Sequence, residues 1–458
     1  MTNTLYLPEL REMLAENNTA EMEEFCTALH PARTAEFMEG LDPQESWAIL
    51  QHTDPHRRME IFTYLDREKQ KTIIETIDRK EAAELIGLLA PDDRADILKE
   101  VDPAVMSELL PLVAPEDRRD ILRLTAYPEN TAGARMTTNY AKLLESVSVR
   151  QALDEITRQA EQLETIYYIY VVDEQEHLVG VVSARALVSA LAKPDLPVRE
   201  IMETELITVL VTEDQEEVAR KVADFDLLAI PVVDEERHLL GIITHDDVID
   251  TFMEEATEDA HRMAGITPMV DNFLEMPFIT VWRKRAGWLC MLFVAELFTF
   301  TALAHFEAAI QAVVALALFV PLCISTGGNS GSQAATLVTR ALAVGQVQTR
   351  DWWRVFRHEL LMGVALGCTL GAIGFLRAAA TPQSVLGSVN HWVLAFVIAQ
   401  SVAAICLWGT LVGSMLPLIF KRLGFDPGFA SSPFVATFVD VTGIVLYFNI
   451  AHLWLPLG

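Results

Sequence analysis

Asp440 stands in Phe438-Val-Asp440-Val-Thr442-Gly443, inside an apolar run over residues 431–455. It lies about 14 Å along a helix from the start of that run, close to the middle of a hydrocarbon layer about 30 Å thick. An intramembrane carboxylate faces a polar path, and its charge suits a cation. Glu296 is a second deep acid, in the run over 287–306, and both helix pairing and a functional role are open to it. A further set of acids follows Thr244: Asp247, Asp250, Glu254 or Glu255, and Glu258 recur at three- and four-residue steps. Several therefore share one helix face, where like charges repel unless water or a divalent cation offsets them. The third feature is Pro321-Leu-Cys-Ile-Ser325-Thr-Gly327-Gly328-Asn329-Ser-Gly-Ser-Gln333, polar and glycine-rich within another apolar run. Exposed backbone there would lack hydrogen-bond partners in lipid. Either small residues pack helices closely, or a broken helix lines a watery path with its carbonyls; the broken helix is the working expectation.

These residues need elements to hold them. Residues 286–458 contain six acids (Glu296, Glu307, Asp351, Glu359, Asp426, Asp440) and seven bases, whereas 58 of the chain's 64 acids lie in residues 1–285. An acidic part is thus joined to an apolar part. Nucleic acid is excluded as a partner by the missing basic surface, and multivalent cations fit the charge. Five runs near 287–306, 309–338, 359–380, 391–419 and 431–455 are each long enough to cross a bilayer at about 20 residues per span. Nine bases flank them on one side (Arg283, Lys284, Arg285, Arg340, Arg350, Arg354, Arg357, Lys421, Arg422), and Arg377 stands alone on the other. The positive-inside rule then places the N-terminus in the cytoplasm and the C-terminus outside the cell membrane. The polar start, Met1-Thr2-Asn3-Thr4, shows no cleaved secretion signal. Cys26, Cys290, Cys323, Cys368 and Cys406 have no metal or disulfide spacing and read as small buried side chains.

The acidic part has two textures. Over 40–125, turn-forming pairs recur about every 12 residues, from Asp42-Pro43 and Asp54-Pro55 to Asp102-Pro103 and Pro115-Glu116. Asp caps a helix and Pro fits its first position, so short helices must stack to bury a shared stripe. Further on, Ile169-Tyr-Val-Val-Asp-Glu-Gln-Glu-His-Leu-Val-Gly180 aligns with Ile230-Pro-Val-Val-Asp-Glu-Glu-Arg-His-Leu-Leu-Gly241 at an offset of about 61 residues. Each copy predicts a strand, a turn, a second strand, then a helix beginning near Ala184 or His245.

The duplicated unit resembles a tandem pair of CBS modules. With the short-helix domain, the acidic helix and five spans, the chain resembles the MgtE family of magnesium transporters from about residue 30 onward. Thr326-Gly-Gly-Asn-Ser-Gly-Ser-Gln333, Ser432-Pro-Phe-Val-Ala-Thr437 with Asp440-Val-Thr-Gly443, and Glu255-Ala-Thr-Glu258-Asp259 carry the resemblance. It implies a multidomain fold: an all-α N-terminal superhelical domain (1–130), α/β tandem CBS domains (131–252, about 131–195 and 196–252), an acidic connecting helix (253–280) and a five-helix transmembrane domain (281–458). It also implies a homodimer in the lipid bilayer that behaves as a Mg²⁺-selective, Mg²⁺-gated channel and not as an enzyme. The pore carboxylate maps onto Asp440, with Gly327, Gly328, Asn329, Ala436 and Gly443 along the pore. Cytosolic Mg²⁺ ligands map onto Asp92, Asp96, Asp214, Glu216, Asp226, Asp247, Asp250, Glu255, Glu258 and Asp259. Thr244-x-x-Asp247 matches a ribose-binding position and suggests ATP, although the first copy has Ser183-x-x-Ala186 without the acid. Ser332, Ser432 and Gln311 stand where family members carry Asn, Asn and Glu.

The alternatives are transport of another divalent cation, Co²⁺ or Mn²⁺, and a CBS-regulated membrane sensor without flux; soft-metal specificity is disfavoured because the donors are oxygens, not thiolates or clustered imidazoles. The topology has its own test. A cysteine at Ser388 is expected to react with an impermeant thiol reagent on intact cells, and one at Thr349 only after permeabilisation; external labelling at 349 would overturn the five-span arrangement.

Overall fold

A computed structural model describes residues 5–160, 163–269, 276–386 and 389–456. Part of the connecting region, 270–275, therefore lies outside the described residues. The chain divides into two compact units, Met1–Phe252 and Met253–Gly458.

The first unit begins with ten short helices: α1 (Leu7–Glu16), α2 (Thr19–Ala28), α3 (Pro31–Met38), α4 (Pro43–Leu50), α5 (Pro55–Thr63), α6 (Arg67–Thr76), α7 (Arg79–Leu88), α8 (Pro91–Glu100), α9 (Pro103–Leu109) and α10 (Pro115–Leu124). The turn pairs start them as expected. Asp42, Asp54, Asp66, Asp78 and Asp102 each accept a backbone N–H of the following turn. At α4 the cap is reciprocal: Glu45 N donates to Asp42 at 2.7 Å, and Asp42 N to Glu45 at 3.0 Å. From α2 to α10, each helix packs against the one two places on. One apolar stripe, running from Leu10 through Trp47, Ile73 and Ile97 to Ile121, is shared along the stack.

After α11 (Ala132–Arg135) come two copies of one motif. In the first, β1 (Tyr140–Leu144) pairs parallel with β2 (Thr165–Val172), which pairs antiparallel with β3 (Leu178–Ser183); α12 (Val149–Gln159) and α13 (Ala184–Ser189) flank them. In the second, β4 (Val209–Leu210), β5 (Ala229–Val233) and β6 (Leu239–Thr244) repeat that order around α14 (Gln215–Asp224), before α15 (His245–Met263). The register shifts of the two antiparallel pairs also match, at Val171/Val172 and Val232/Val233. His177 and His238, each held by its own Asp (Asp173, Asp234) at 2.9 Å, stack with ring centres 4.6 Å apart.

The second unit holds five long helices: α16 (Phe278–His305), α18 (Ala315–Ala343), α19 (Trp352–Ala379), α21 (His391–Arg422) and α22 (Ser432–Trp454), with the short α17 (Glu307–Ala312) and α20 (Gln383–Leu386) between them. Among the described residues, α16, α19, α21 and α22 are long and apolar enough to cross a membrane by length and composition. The fifth, α18, has 29 residues, and its polar run from Ser325 to Gln333 sets it apart. The helix of the second apolar run begins at Ala315, not near 309, because α17 intervenes.

The broken-helix expectation is corrected here: α18 runs unbroken through Pro321 and the glycines. Its glycines serve packing. A Cβ on Gly409 would collide with the Gly327 carbonyl, and one on Gly413 with that of Gly331. Helices α18 and α21 thus meet backbone to backbone, and Ser330 bonds Thr410 across the contact. Apart from the one bond that Pro321 cannot donate, the backbone keeps its helical hydrogen bonds, so nothing forces the helix open. Cys26, Cys323 and Cys406 are buried as expected, but Cys290 in α16 and Cys368 in α19 are exposed. On long apolar helices an outward thiol meets an apolar environment all the same.

The contact predicts a specific sensitivity. Gly413→Ala is expected to cost about 1–3 kcal/mol by overpacking and to lower the melting temperature in detergent. Gly287→Ala, which meets open space, should leave it within error.

Candidate functional site

In the membrane unit, α22 presents Ala436, Asp440 and Ile444 at four-residue steps along one face. Opposite lies α18, where Gly328 leaves room: a Cβ there would come to 3.2 Å from Asp440 Oδ1. Between them and α16 is a cavity of about 340 Å³ lined by Glu296, Thr299, Leu303, Val320, Pro321, Ile324, Ser325, Gly328, Asn329, Ala436, Asp440 and Ile444. Pro321 has no amide, so the Ala317 carbonyl loses its helical partner beside this space. Asn329 Nδ2 donates to Ser325 Oγ at 3.4 Å. Among the described residues that line the cavity there is no Lys, Arg or His. Such a site attracts a cation and repels anions.

Of the residues expected along the pore, Gly328, Asn329, Ala436 and Asp440 line this cavity. Gly327 and Gly443 do not; both are buried and pack against Ile405 of α21. The face Asp440 shares is set by Ile444, because Tyr447 is buried and donates its hydroxyl to Leu316 O at 2.9 Å. Ser332 Oγ donates to Ser432 O at 3.0 Å, and Gln311 to Glu307 at 3.0 Å.

The first unit contains an acidic cluster. Helices α8 and α15 each carry adjacent acids in the first turn, Asp92 and Asp93 on one, Asp246 and Asp247 on the other. Helix N-termini favour negative charge, which brings these acids together at tolerable cost. Asp92 Oδ1 is buried with no hydrogen-bond partner. Burial, then the Asp247 charge, pushes the Asp92 carboxyl well up. Burial also raises Asp247 to about 6, although Thr244 Oγ1 donates to it at 2.5 Å. Glu164 is exposed as a residue, yet its carboxyl is pushed up to about 7 by partial desolvation and then by Asp247, Asp246 and Asp93. Asp93 rises through burial, with Arg67 opposing and Asp250 among the repelling charges.

The other expected cytosolic ligands are placed differently. Asp96 is tied to Lys99 at 3.2 Å, Arg135 at 3.8 Å and Arg67 at 3.9 Å. Asp214 caps α14, and Glu216 pairs with Arg220 at 3.1 Å. Asp226 is exposed in a left-handed conformation, φ 51°. In the second unit, Glu258 pairs with Arg262, which also pairs with Asp426. Burial raises the Asp259 carboxyl, with Arg340 opposing. Glu255 lies on the same helix, half-buried.

Sequence reasoning missed Asp93, Asp246 and Glu164; the doubled acids at two helix starts were the available signal for the first two. Among the described residues no three His, Cys, Asp or Glu side chains converge on a single metal position. That spacing still suits Mg²⁺, which keeps several waters and binds through one or two carboxylates, and the orphaned Asp92 oxygen is a hard donor of the right kind.

A helical membrane unit with a carboxylate cavity, joined to a CBS-like pair and a helical repeat, defines a membrane cation transporter. The chain belongs to the MgtE family. The family model described as a divalent cation transporter matches residues 320–450, the MgtE intracellular N domain matches 29–130, and CBS domains match 132–193 and 198–254. Magnesium transporter MgtE of Thermus thermophilus is 42% identical over 335 residues, 72% of this chain and 72% of its own length. That of Enterococcus faecalis is 36% identical over 333 residues, 72% and 71% of the two chains. Among solved structures, the cytosolic domain of the Mg²⁺ channel MgtE in complex with ATP is similar at TM-score 0.50 and 37% identity, covering 53% of this chain and 98% of that one.

The raised carboxyls fix a pH dependence. An acid whose folded pKa exceeds its unfolded value of about 4 holds extra protons in the folded state. Stability from the cluster is therefore fully present below about pH 4 and lost progressively as pH rises from there to about 6 to 7. In chelator, denaturant titrations should give a lower midpoint at pH 8 than at pH 5. Asp92→Asn with Asp247→Asn should flatten that difference.

Proposed function

We propose that this chain takes Mg²⁺ into the cell down the membrane potential, through the cavity that holds Asp440. The carrying observation is a carboxylate inside a long apolar helix, facing a cavity without a base among its described lining. The family supports the ion, since its curated relatives bear the name magnesium transporter. Mg²⁺ sheds water reluctantly, so a carboxylate touching the hydrated ion is a workable filter. A double charge gains about 4.6 kcal/mol per 100 mV, inside negative, so no fuel is required. The sites are carboxylate, amide and hydroxyl oxygens, which favour Mg²⁺ over Co²⁺ while leaving Mn²⁺ as the nearer competitor.

So strong an inward drive calls for a closing signal. In this reading Mg²⁺ binds the acidic cluster around Asp92 and Asp247, with Asp96, Asp214, Glu216, Asp226, Asp250, Glu255, Glu258 and Asp259 as further carboxylates, and closes the path through residues 253–280. The orphaned Asp92 oxygen facing Asp247 supports it. The working form is a homodimer in the cell membrane, N-terminus cytoplasmic and C-terminus outside. ATP is a second ligand on this reading, held by Thr244 and Asp247; its support is the ATP-bound similar structure.

Full-length protein in liposomes, with a Mg²⁺-sensitive dye and an imposed potential, tests both halves. Asp440→Ala should abolish flux in a protein that still elutes as wild type. Neutralising Asp226, Asp247 and Asp250 together should leave flux undiminished at millimolar Mg²⁺, where wild type closes. Normal flux in the first variant sinks the path; normal closure in the second sinks the sensor.

A further inference from the structure

Glu296 stands in α16, about 14 Å before its C-terminal end. Helices α16 and α22 pack together, and the side chains of Glu296 and Asp440 line the same cavity. No basic side chain offsets the two charges among the described lining residues. Two negative charges facing one cavity match one divalent cation better than one monovalent ion.

The space is the right size. At roughly 30 Å³ per water, about 340 Å³ holds about ten waters, more than the six of a fully hydrated Mg²⁺ octahedron. Its walls are built to hold water. Thr299 lies one turn from Glu296, and its Oγ1 is buried without a hydrogen-bond partner. Ser325 and Asn329 add hydroxyl and amide groups from α18.

We propose that Glu296 is the second carboxylate of the ion path: a hydrated divalent cation is held between Glu296 and Asp440, and Glu296 sets the preference for divalent over monovalent ions. This rests on the reading of the Asp440 cavity as the path. Asp440 supplies the charge without which the ion does not pass. Glu296 adds affinity and charge discrimination, while Thr299, Ser325 and Asn329 meet the ion's water shell.

The test uses full-length protein in liposomes at fixed potential, reading Mg²⁺ flux against Mg²⁺ concentration and K⁺ flux in parallel. Glu296→Gln should raise the half-saturating Mg²⁺ concentration about tenfold, the effect of about 1.4 kcal/mol, and admit K⁺. Glu296→Asp should restore most of the wild-type behaviour, which a merely structural role would not require. In Glu296→Cys, made in a background without other cysteines, an anionic methanethiosulfonate should restore affinity and a cationic one should block flux. Equal responses to both reagents, or wild-type affinity and selectivity in Glu296→Gln, would overturn the role of Glu296. Asp440→Asn separates the two levels. Abolished flux there beside an unaffected Glu296→Gln removes Glu296 alone, whereas normal flux there removes the path and this inference with it.

Discussion

A carboxylate withdrawn from water has to share its site with a proton or a cation, and both units are organised around that constraint. At Asp92 and Asp247 the acids come from two helix starts, so backbone N–H dipoles ease their approach without neutralising them. What remains is a raised proton affinity and an oxygen with no partner. Asp96, four residues on, shows the contrast: with Lys99, Arg135 and Arg67 beside it, it is already neutralised by the protein. Asp96 is thus held by three bases within about 4 Å, whereas the Asp92 oxygen is left without a partner.

The membrane unit meets the same constraint with a different scaffold. Large side chains could not bring α18 close enough to α21 to fix the wall of a narrow cavity. Glycines at 327, 331, 409 and 413 allow the two backbones to touch, and Ser330, Thr410 and the Cys406 carbonyl bond across the seam. With α18 pinned from behind, its other face holds Gly328 and Asn329 toward Asp440. One helix thus divides its small residues between packing and access.

Much of this was legible in the residues. Asp-Pro pairs mark helix starts because capping and the missing proline N–H are local effects, and the caps at Asp42, Asp54 and Asp102 follow. The duplicated strand-turn-strand unit was readable from its 61-residue offset, down to helices opening at Ala184 and His245. Long-range convergence was not. Glu164 approaches Asp247 across more than eighty residues of chain, and no local pattern announces it. The glycines of α18 misled for a related reason. In isolation they weaken a helix, and only the facing glycines of α21 explain why this one stays whole.

Ser332 and Ser432, the two positions where this chain has a shorter side chain than the family pattern suggests, meet each other. Ser332 Oγ reaches the Ser432 carbonyl, while Thr336 and Ser432 approach within 3.2 Å through their hydroxyls. Both side chains therefore shape one contact between α18 and α22, so substitutions at the two positions should be non-additive in their effect on stability.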